Sequence, residues 1–271
     1  MRDPRFLRLF LQPVAEQCDV MGLALYRITR DGLALQAAAG DEADTAPETL
    51  PLGGCSAGTA ARKGERRPAT EVEPADATFP DAACELIEPV LFDGLPVGVL
   101  VAASGVPHGL DGWTGQVVAL LAERVAPVLA WPDEAAALAA SEVVDELAAR
   151  FEGRFDWTGV YAAAGDDVLQ LVAFVGEPTP HVRIPVSTGL CGAAVRENAE
   201  LNVADVRADP RYLACSLRTR SELVVPIRDG SGKAVAELDI DSDRAGTFGP
   251  DALEAVRAAA ARLAPHFDSA R

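Results

Sequence analysis

At 271 residues the chain has room for one large domain or two of ordinary size, and 49% apolar with 24% charged residues is a globular composition. The formal charge of −17, from 41 acids against 24 bases with no basic run, argues against a nucleic-acid backbone or an anionic membrane surface as partner. Five scattered cysteines, Cys18, Cys55, Cys84, Cys191 and Cys215, form no CxxC pair, so neither a disulfide framework nor a zinc site is signalled and a reducing cytoplasm is the expected compartment. The first twelve residues carry Arg2, Arg5 and Arg8 throughout and lack the layout of a signal peptide. The longest apolar stretch, Val117 to Trp131, is broken by Glu123 and Arg124 and is too short to cross a bilayer.

In chain order, apolar periodicity predicts a helix at Phe6–Glu16, strands at Gly22–Ile28 and Leu33–Ala38, and a turn from Leu50 to Cys55. A short helix near Ala57–Lys63, strands at Glu85–Phe92 and Val97–Ala103, and a helix at Trp113–Leu129 complete this set. The pattern then runs again: a helix at Glu134–Phe151, strands at Thr158–Ala163 and Val168–Phe174, and a turn from Ile184 to Cys191. A helix over Gly192–Glu197, strands at Glu222–Arg228 and Val235–Ile240, and a helix at Pro250–His266 follow. Asp93-Gly94 and Asp229-Gly230 read as the turns joining the last two strands of each set.

Landmarks recur at an offset of 137 residues: Gly22 with Gly159, Glu85 with Glu222, Pro89 with Pro226. Pro51 and Pro185 stand 134 apart, which a few loop residues explain. A period this long signals a duplicated domain rather than a solenoid. Pro132, followed by Asp133-Glu134, marks the junction, giving domains at 1–132 and 133–271. Hairpin-linked strands with helices at both ends of each copy describe an α+β fold, an antiparallel sheet flanked by helices.

Duplicates share what a fold needs, so their differences point to function. Alternation along the last strand puts Glu237, Asp239 and Asp241 on one face, where the first copy has Val99, Val101 and Ala103. A solvated sheet face would account for these acids. With Glu222 opposite them across the hairpin, the same residues would instead hold a cationic amine or a metal, or donate protons from raised pKa values. Cys191 stands where Thr188-Gly189 turns into a helix, and helix N-termini lower thiol pKa. Cys215 lies in a loop-like segment among Arg211, Arg218 and Arg220, which would stabilise a thiolate. Both cysteines are otherwise small buried hydrophobes, the role expected of Cys18, Cys55 and Cys84.

From about Asp156 to Phe267 the second copy resembles the free methionine-(R)-sulfoxide reductases, a family of GAF-fold enzymes. The resemblance rests on Trp157-Thr158-Gly159-Val160-Tyr161, Val182-Arg183-Ile184-Pro185-Val186, Gly189-Leu190-Cys191-Gly192, Leu213-Ala214-Cys215, Ser221-Glu222-Leu223-Val224 and Leu238-Asp239-Ile240-Asp241-Ser242. The spacings of 24 residues from Cys191 to Cys215 and 7 from Cys215 to Glu222 fit the family pattern. The first copy is similar only to a degenerate GAF domain, with a structural or regulatory role. Two departures stand out: His181 replaces a third cysteine that commonly resolves the oxidised thiol in the family, and Glu237 replaces an aliphatic residue.

The resemblance implies two tandem GAF-like domains with chemistry in the second and no cofactor or bound metal. Cys215 as thiolate would reduce free methionine sulfoxide and become a sulfenic acid. Cys191 would close it to a disulfide, and a thioredoxin-like reductant would reopen it. Glu222 and Asp241 are the candidate proton donors and Asp239 the candidate holder of the substrate ammonium. Trp157 and Tyr161 would wall the methyl group or simply serve as core aromatics. A homodimer is compatible with this reading. Two rivals are a non-catalytic tandem GAF module that binds and reports a small molecule, and a metal-dependent enzyme using His181, Asp239 and Asp241.

Overall fold

Alternating burial along extended segments builds two antiparallel sheets in the computed structural model, which describes residues 5–73, 75–165, 167–213 and 216–268. The chain divides into two compact units, Met1–Ala130 and Trp131–Arg271.

Unit 1 contains α1 (Arg5–Cys18), β1 (Gly22–Ile28), β2 (Leu33–Ala39), β3 (Thr49–Leu50), α2 (Ser56–Lys63), β4 (Arg67–Glu71), β5 (Cys84–Phe92), β6 (Leu95–Ser104) and α3 (Gly112–Ala130). Its sheet has the order β3-β2-β1-β6-β5-β4. Unit 2 contains α4 (Glu134–Arg150), β7 (Trp157–Ala163), β8 (Val168–Val175), β9 (Arg183–Pro185), α5 (Gly189–Glu197), β10 (Leu201–Val203), β11 (Ser221–Arg228), β12 (Ala234–Ser242) and α6 (Pro250–Phe267). Its order, β10-β11-β12-β7-β8-β9, is that of unit 1 read from the other edge. The fold class expected from the sequence is the one observed: two sheets, each flanked by helices.

In unit 2 the long helices α4 and α6 pack on β7, β8, β11 and β12, while the short α5 packs on β9, β11 and β12. Helix α4 begins at Asp133, whose carboxylate accepts the Ala136 N–H at 3.1 Å, and it buries Ala136, Ala137, Ala140, Val143, Val144 and Leu147, one stripe at helical spacing. A helix layer on both sides explains why β11 is buried at every residue but Arg228 and β12 along its whole length.

The hairpin turns differ between the units. Asp93 and Gly94 both take positive φ, 53° and 72°, and Phe92 pairs directly with Leu95, the two-residue turn expected. The Asp229-Gly230 turn is longer than expected. Asp229 Oδ1 accepts from the Ser231 and Lys233 amides, and Gly232 rather than Gly230 takes the positive φ of 85°.

Strand register fixes how the copies correspond. Glu85 pairs with Ala103 as Glu222 pairs with Asp241, and Pro89 with Val99 as Pro226 with Glu237. Val99, Val101 and Ala103 therefore occupy the places of Glu237, Asp239 and Asp241. On the neighbouring strand the correspondence expected from sequence needs correction. Gly22 pairs with Ala103 and Trp157 with Asp241, so Gly22 corresponds to Trp157, not to Gly159. A slip of two residues keeps every side chain on its face and leaves no trace in an alternation pattern. Tyr26 and Tyr161 then coincide, and each hydroxyl donates to a carbonyl some twenty residues on, Pro47 at 3.1 Å and His181 at 2.9 Å.

In unit 1 this region is an apolar core of Tyr26, Val99, Val101, Ala103, Ala57 and Phe79. Phe79 is fully buried, and its ring fills the space where a Cβ on Gly22 would lie. The Thr78 and Phe79 amides donate to Glu85 Oε1 at 2.6 and 3.1 Å, so the buried acid binds its own backbone. Phe79→Ala should lower stability by about 3 to 5 kcal/mol, read from the unit 1 transition in urea denaturation; a change below about 1 kcal/mol would mean that Phe79 does not fill this core.

Candidate functional site

Helix α5 decides what the acids of β12 meet. It starts at Gly189, three residues earlier than expected, so Cys191 lies inside its first turn rather than ahead of it. From there the Cys191 thiol donates to Asp239 Oδ2 at 3.4 Å and stands 4.0 Å from Glu222 Oε1. Glu222, Glu237, Asp239 and Asp241 are 5%, 0%, 1% and 4% exposed, which overturns the solvated-face explanation of the acids. The cross-strand pair Glu222–Asp241 and the diagonal to Asp239 bring the carboxylates of two strands onto the face beneath α5.

These acids are poorly compensated. Oδ1 of Asp239 and Oδ1 of Asp241 are buried without a hydrogen-bond partner, and Glu237 has only the Cys191 thiol beside it. Among the described residues no ion pair reaches any of the four. Burial is the largest influence on each and pushes every pKa up. Asp239 is pushed up to about 7, the Cys191 thiol holding it back. Glu222 is raised by burial and then by Asp239, Asp241 and Glu237. Glu237 is raised by burial and Asp239, with the Cys191 thiol opposing. Asp241 is raised by burial, then by Asp239, Asp243 and Asp156.

A cavity of about 100 Å³ opens onto this cluster, lined by Trp157, Glu177, Thr179, Ser216, Arg218 and Asp241 among others. Asp241 is the one of the four acids that it exposes. The Trp157 ring folds back over Gly159, where any Cβ would collide with it, and its Nε1 donates to the Glu177 carbonyl at 3.1 Å. Tyr161 takes the core alternative: fully buried, it packs with Leu169, Leu171, Phe174 and Cys191. A larger cavity of about 640 Å³, lined by Trp131, Arg196, Lys233 and His266, contains none of the expected site residues.

Ala214 and Cys215 lie outside the described residues, whereas Arg211, Arg218 and Arg220 are described. The arginines expected to attract the Cys215 thiolate are bound to acids: Arg211 to Asp209 at 2.8 Å, Arg218 to Glu177 at 2.9 Å and to Asp243 at 3.3 Å, Arg220 to Asp205 at 3.0 Å. Each of these arginines thus has an acidic partner, most of them from outside the Arg207–Arg220 segment. In unit 1, Cys18 and Cys84 are buried, and Cys55 caps α2, its sulfur accepting the Gly58 N–H at 3.3 Å. The metal-capable group among the described residues is Cys191, Glu222 and Asp239, not the His181 set. Glu237 lies with the other acids, as its alternation with Asp239 and Asp241 signalled, although the resemblance to the reductases assigned it no role. Among the described residues, no helix is long and apolar enough to cross a membrane.

Residues 136–266 match the family profile of the GAF domain. Unit 2 is a GAF domain. It is similar to protein YtsP of Bacillus subtilis, 43% identical over 88 residues, or 32% of this chain and 53% of that protein. It is also similar to the free methionine-R-sulfoxide reductase of Escherichia coli, 35% identical over 108 residues, or 40% of this chain and 64% of that enzyme. The chain thus spans between about half and two-thirds of the length of the curated relatives it first matches. A solved structure, the type II free methionine-R-sulfoxide reductase from Thermoplasma acidophilum, is 37% identical, covering 50% of this chain and 96% of that one with a TM-score of 0.48.

A carboxyl group whose pKa is higher folded than unfolded stabilises the fold below its unfolded pKa and loses that contribution as pH rises through the folded value. For Asp239 the loss falls between about pH 4 and 7. Asp239→Asn removes the titration, so it should raise the melting temperature more at pH 8 than at pH 5. A thermal scan in which the variant gains equally at both pH values would contradict the burial of an uncompensated Asp239.

Proposed function

We propose that unit 2 reduces free methionine-(R)-sulfoxide to methionine, with Cys215 as nucleophile, Cys191 as resolving thiol and a thioredoxin-like dithiol as reductant. The observation that carries this reading is the convergence of the Cys191 thiol and four buried carboxyl groups, each pushed up in pKa by burial, with Asp241 opening onto a small cavity beside Trp157. Similarity to proteins named free methionine-R-sulfoxide reductase supports it.

A sulfoxide oxygen is a poor leaving group until protonated, and carboxylic acids kept neutral near pH 7 by burial are suited to supply that proton. Asp241, facing the cavity, and Glu222 behind it take this role. An ionised Asp239 would hold the substrate ammonium, and the Trp157 ring would flank the methyl group. Cys215 attacks the substrate sulfur, and the oxygen passes to it. The substrate sulfur is reduced by two electrons to the thioether, and the thiol is oxidised by two to the sulfenic acid. The Cys191 thiol then condenses with the sulfenic acid, forming an S–S bond and releasing water. The external dithiol reduces that bond and becomes a disulfide. With His181 where the family has its third cysteine, resolution falls to Cys191.

The test is turnover by the full chain with a thioredoxin system and separated epimers. The free R epimer should be consumed, and the S epimer and a capped peptide sulfoxide should not. Cys215→Ser should lose about three orders of magnitude or more in kcat/KM, and Asp241→Asn about a hundredfold or more. Cys191→Ser should release one methionine per chain and then stall as the sulfenic acid. Equal activity on the capped peptide would sink the assignment, full activity in both cysteine variants would refute the thiol mechanism, and no turnover of either free epimer by the wild-type chain would favour a non-catalytic sensor module.

A further inference from the structure

We propose that the reduced protein binds one thiophilic divalent cation, with Zn²⁺ the best match, on Cys191, Glu222 and Asp239. The sulfur and one oxygen from each carboxylate all lie within 4.8 Å of one another. Cys191 Sγ stands 3.4 Å from Asp239 Oδ2 and 4.0 Å from Glu222 Oε1. A tetrahedral zinc with Zn–S near 2.3 Å and Zn–O near 2.1 Å separates sulfur from oxygen by about 3.6 Å. The two distances bracket that value, so the ion requires adjustments of a few tenths of an ångström.

A second, independent observation points to the same ligand. Asp241 is 4% exposed on the Asp239 face of β12 and its Oδ1 has no hydrogen-bond partner, while fully buried Glu237 has only the Cys191 thiol to lower its pKa. Asp239 Oδ1 likewise has no hydrogen-bond partner. With no ion pair reaching this face among the described residues, a doubly charged ion supplies the compensation that the fold leaves out. The sulfur ligand selects zinc over magnesium and calcium, which take oxygen sets. Three protein ligands leave one vertex open.

Coordination replaces the proton of the Cys191 thiol and of any protonated ligand carboxyl group, and no electrons change hands. A metal-held Cys191 cannot condense with a sulfenic acid, and the ion occupies the place proposed for the substrate ammonium. Zinc and sulfoxide therefore exclude one another; this second consequence rests on the reductase reading.

Cobalt substitution tests the site without any activity measurement. The full chain, freed of metal with a chelator and reduced, should take up one equivalent of Co²⁺. It should then show a near-ultraviolet thiolate-to-cobalt charge-transfer band and intense visible bands of tetrahedral cobalt. Cys191→Ser should abolish the charge-transfer band and weaken Zn²⁺ binding at least tenfold in competition with a chromogenic chelator. Asp239→Asn should weaken it comparably. Cys55→Ser, which removes the half-exposed thiol of unit 1, should leave both readouts unchanged. No band in the reduced wild-type protein, or a band that survives Cys191→Ser, would overturn the site. Should the protein bind cobalt through Cys191 yet ignore methionine sulfoxide, the reductase reading fails and the metal site stands. Rapid turnover with no Co²⁺ uptake would remove the metal site and leave the reductase reading in place.

Discussion

Unit 2 is organised around carboxyl groups that have been taken out of water without a cation. Desolvation makes the charged form of each acid costly, and each ionised neighbour makes it costlier. Protons are the compensation closest to hand, and the raised pKa values express that. The burial itself depends on the rest of the unit: α4 and α6 cover one side of the sheet, and α5 covers the acids on the other. A ligand bearing a positive charge meets a face that already lacks one. The same physics that weakens the empty fold thus favours the occupied one.

The two units show how little of the frame this chemistry requires. Strand order is shared, the glutamate of the penultimate strand is shared, and a buried tyrosine ties the same loop to the sheet in each. What separates them is three side chains on one strand and the residue beneath the short helix, Ala57 in unit 1 and a thiol in unit 2. Among the described residues of unit 1, the buried acid Glu85 has two backbone amides on one oxygen, leaves the other without a partner, and is packed among aliphatic residues.

Much of the fold was legible because alternation and helical spacing are local signals, and β1 and β11 fell within a residue of their observed bounds. The strands β3, β4, β9 and β10 were not. They are two to five residues long, and their extended form comes from a neighbouring strand rather than from their own pattern. The acid face was legible as an alternation, but its burial was not, since a solvated face carries the same letters. The short helix α5 decides between the two, and its start at Gly189 hides behind a glycine that reads as turn. The partners of the arginines around Cys215 were hidden for a related reason: spacing places charges along the chain and says nothing of the acids that meet them, Glu177, Asp205 and Asp243.

Phe79 limits how one copy could turn into the other. Its ring fills the space beside Gly22, the residue whose place Trp157 takes in unit 2, and aliphatic residues surround it. Losing the ring first would leave an apolar void, while gaining acids first would press carboxylates against a phenyl group with nothing to solvate them. Either order carries a cost, so unit 1 could take on the acid face of unit 2 only if Phe79 and its aliphatic neighbours changed together with the strand.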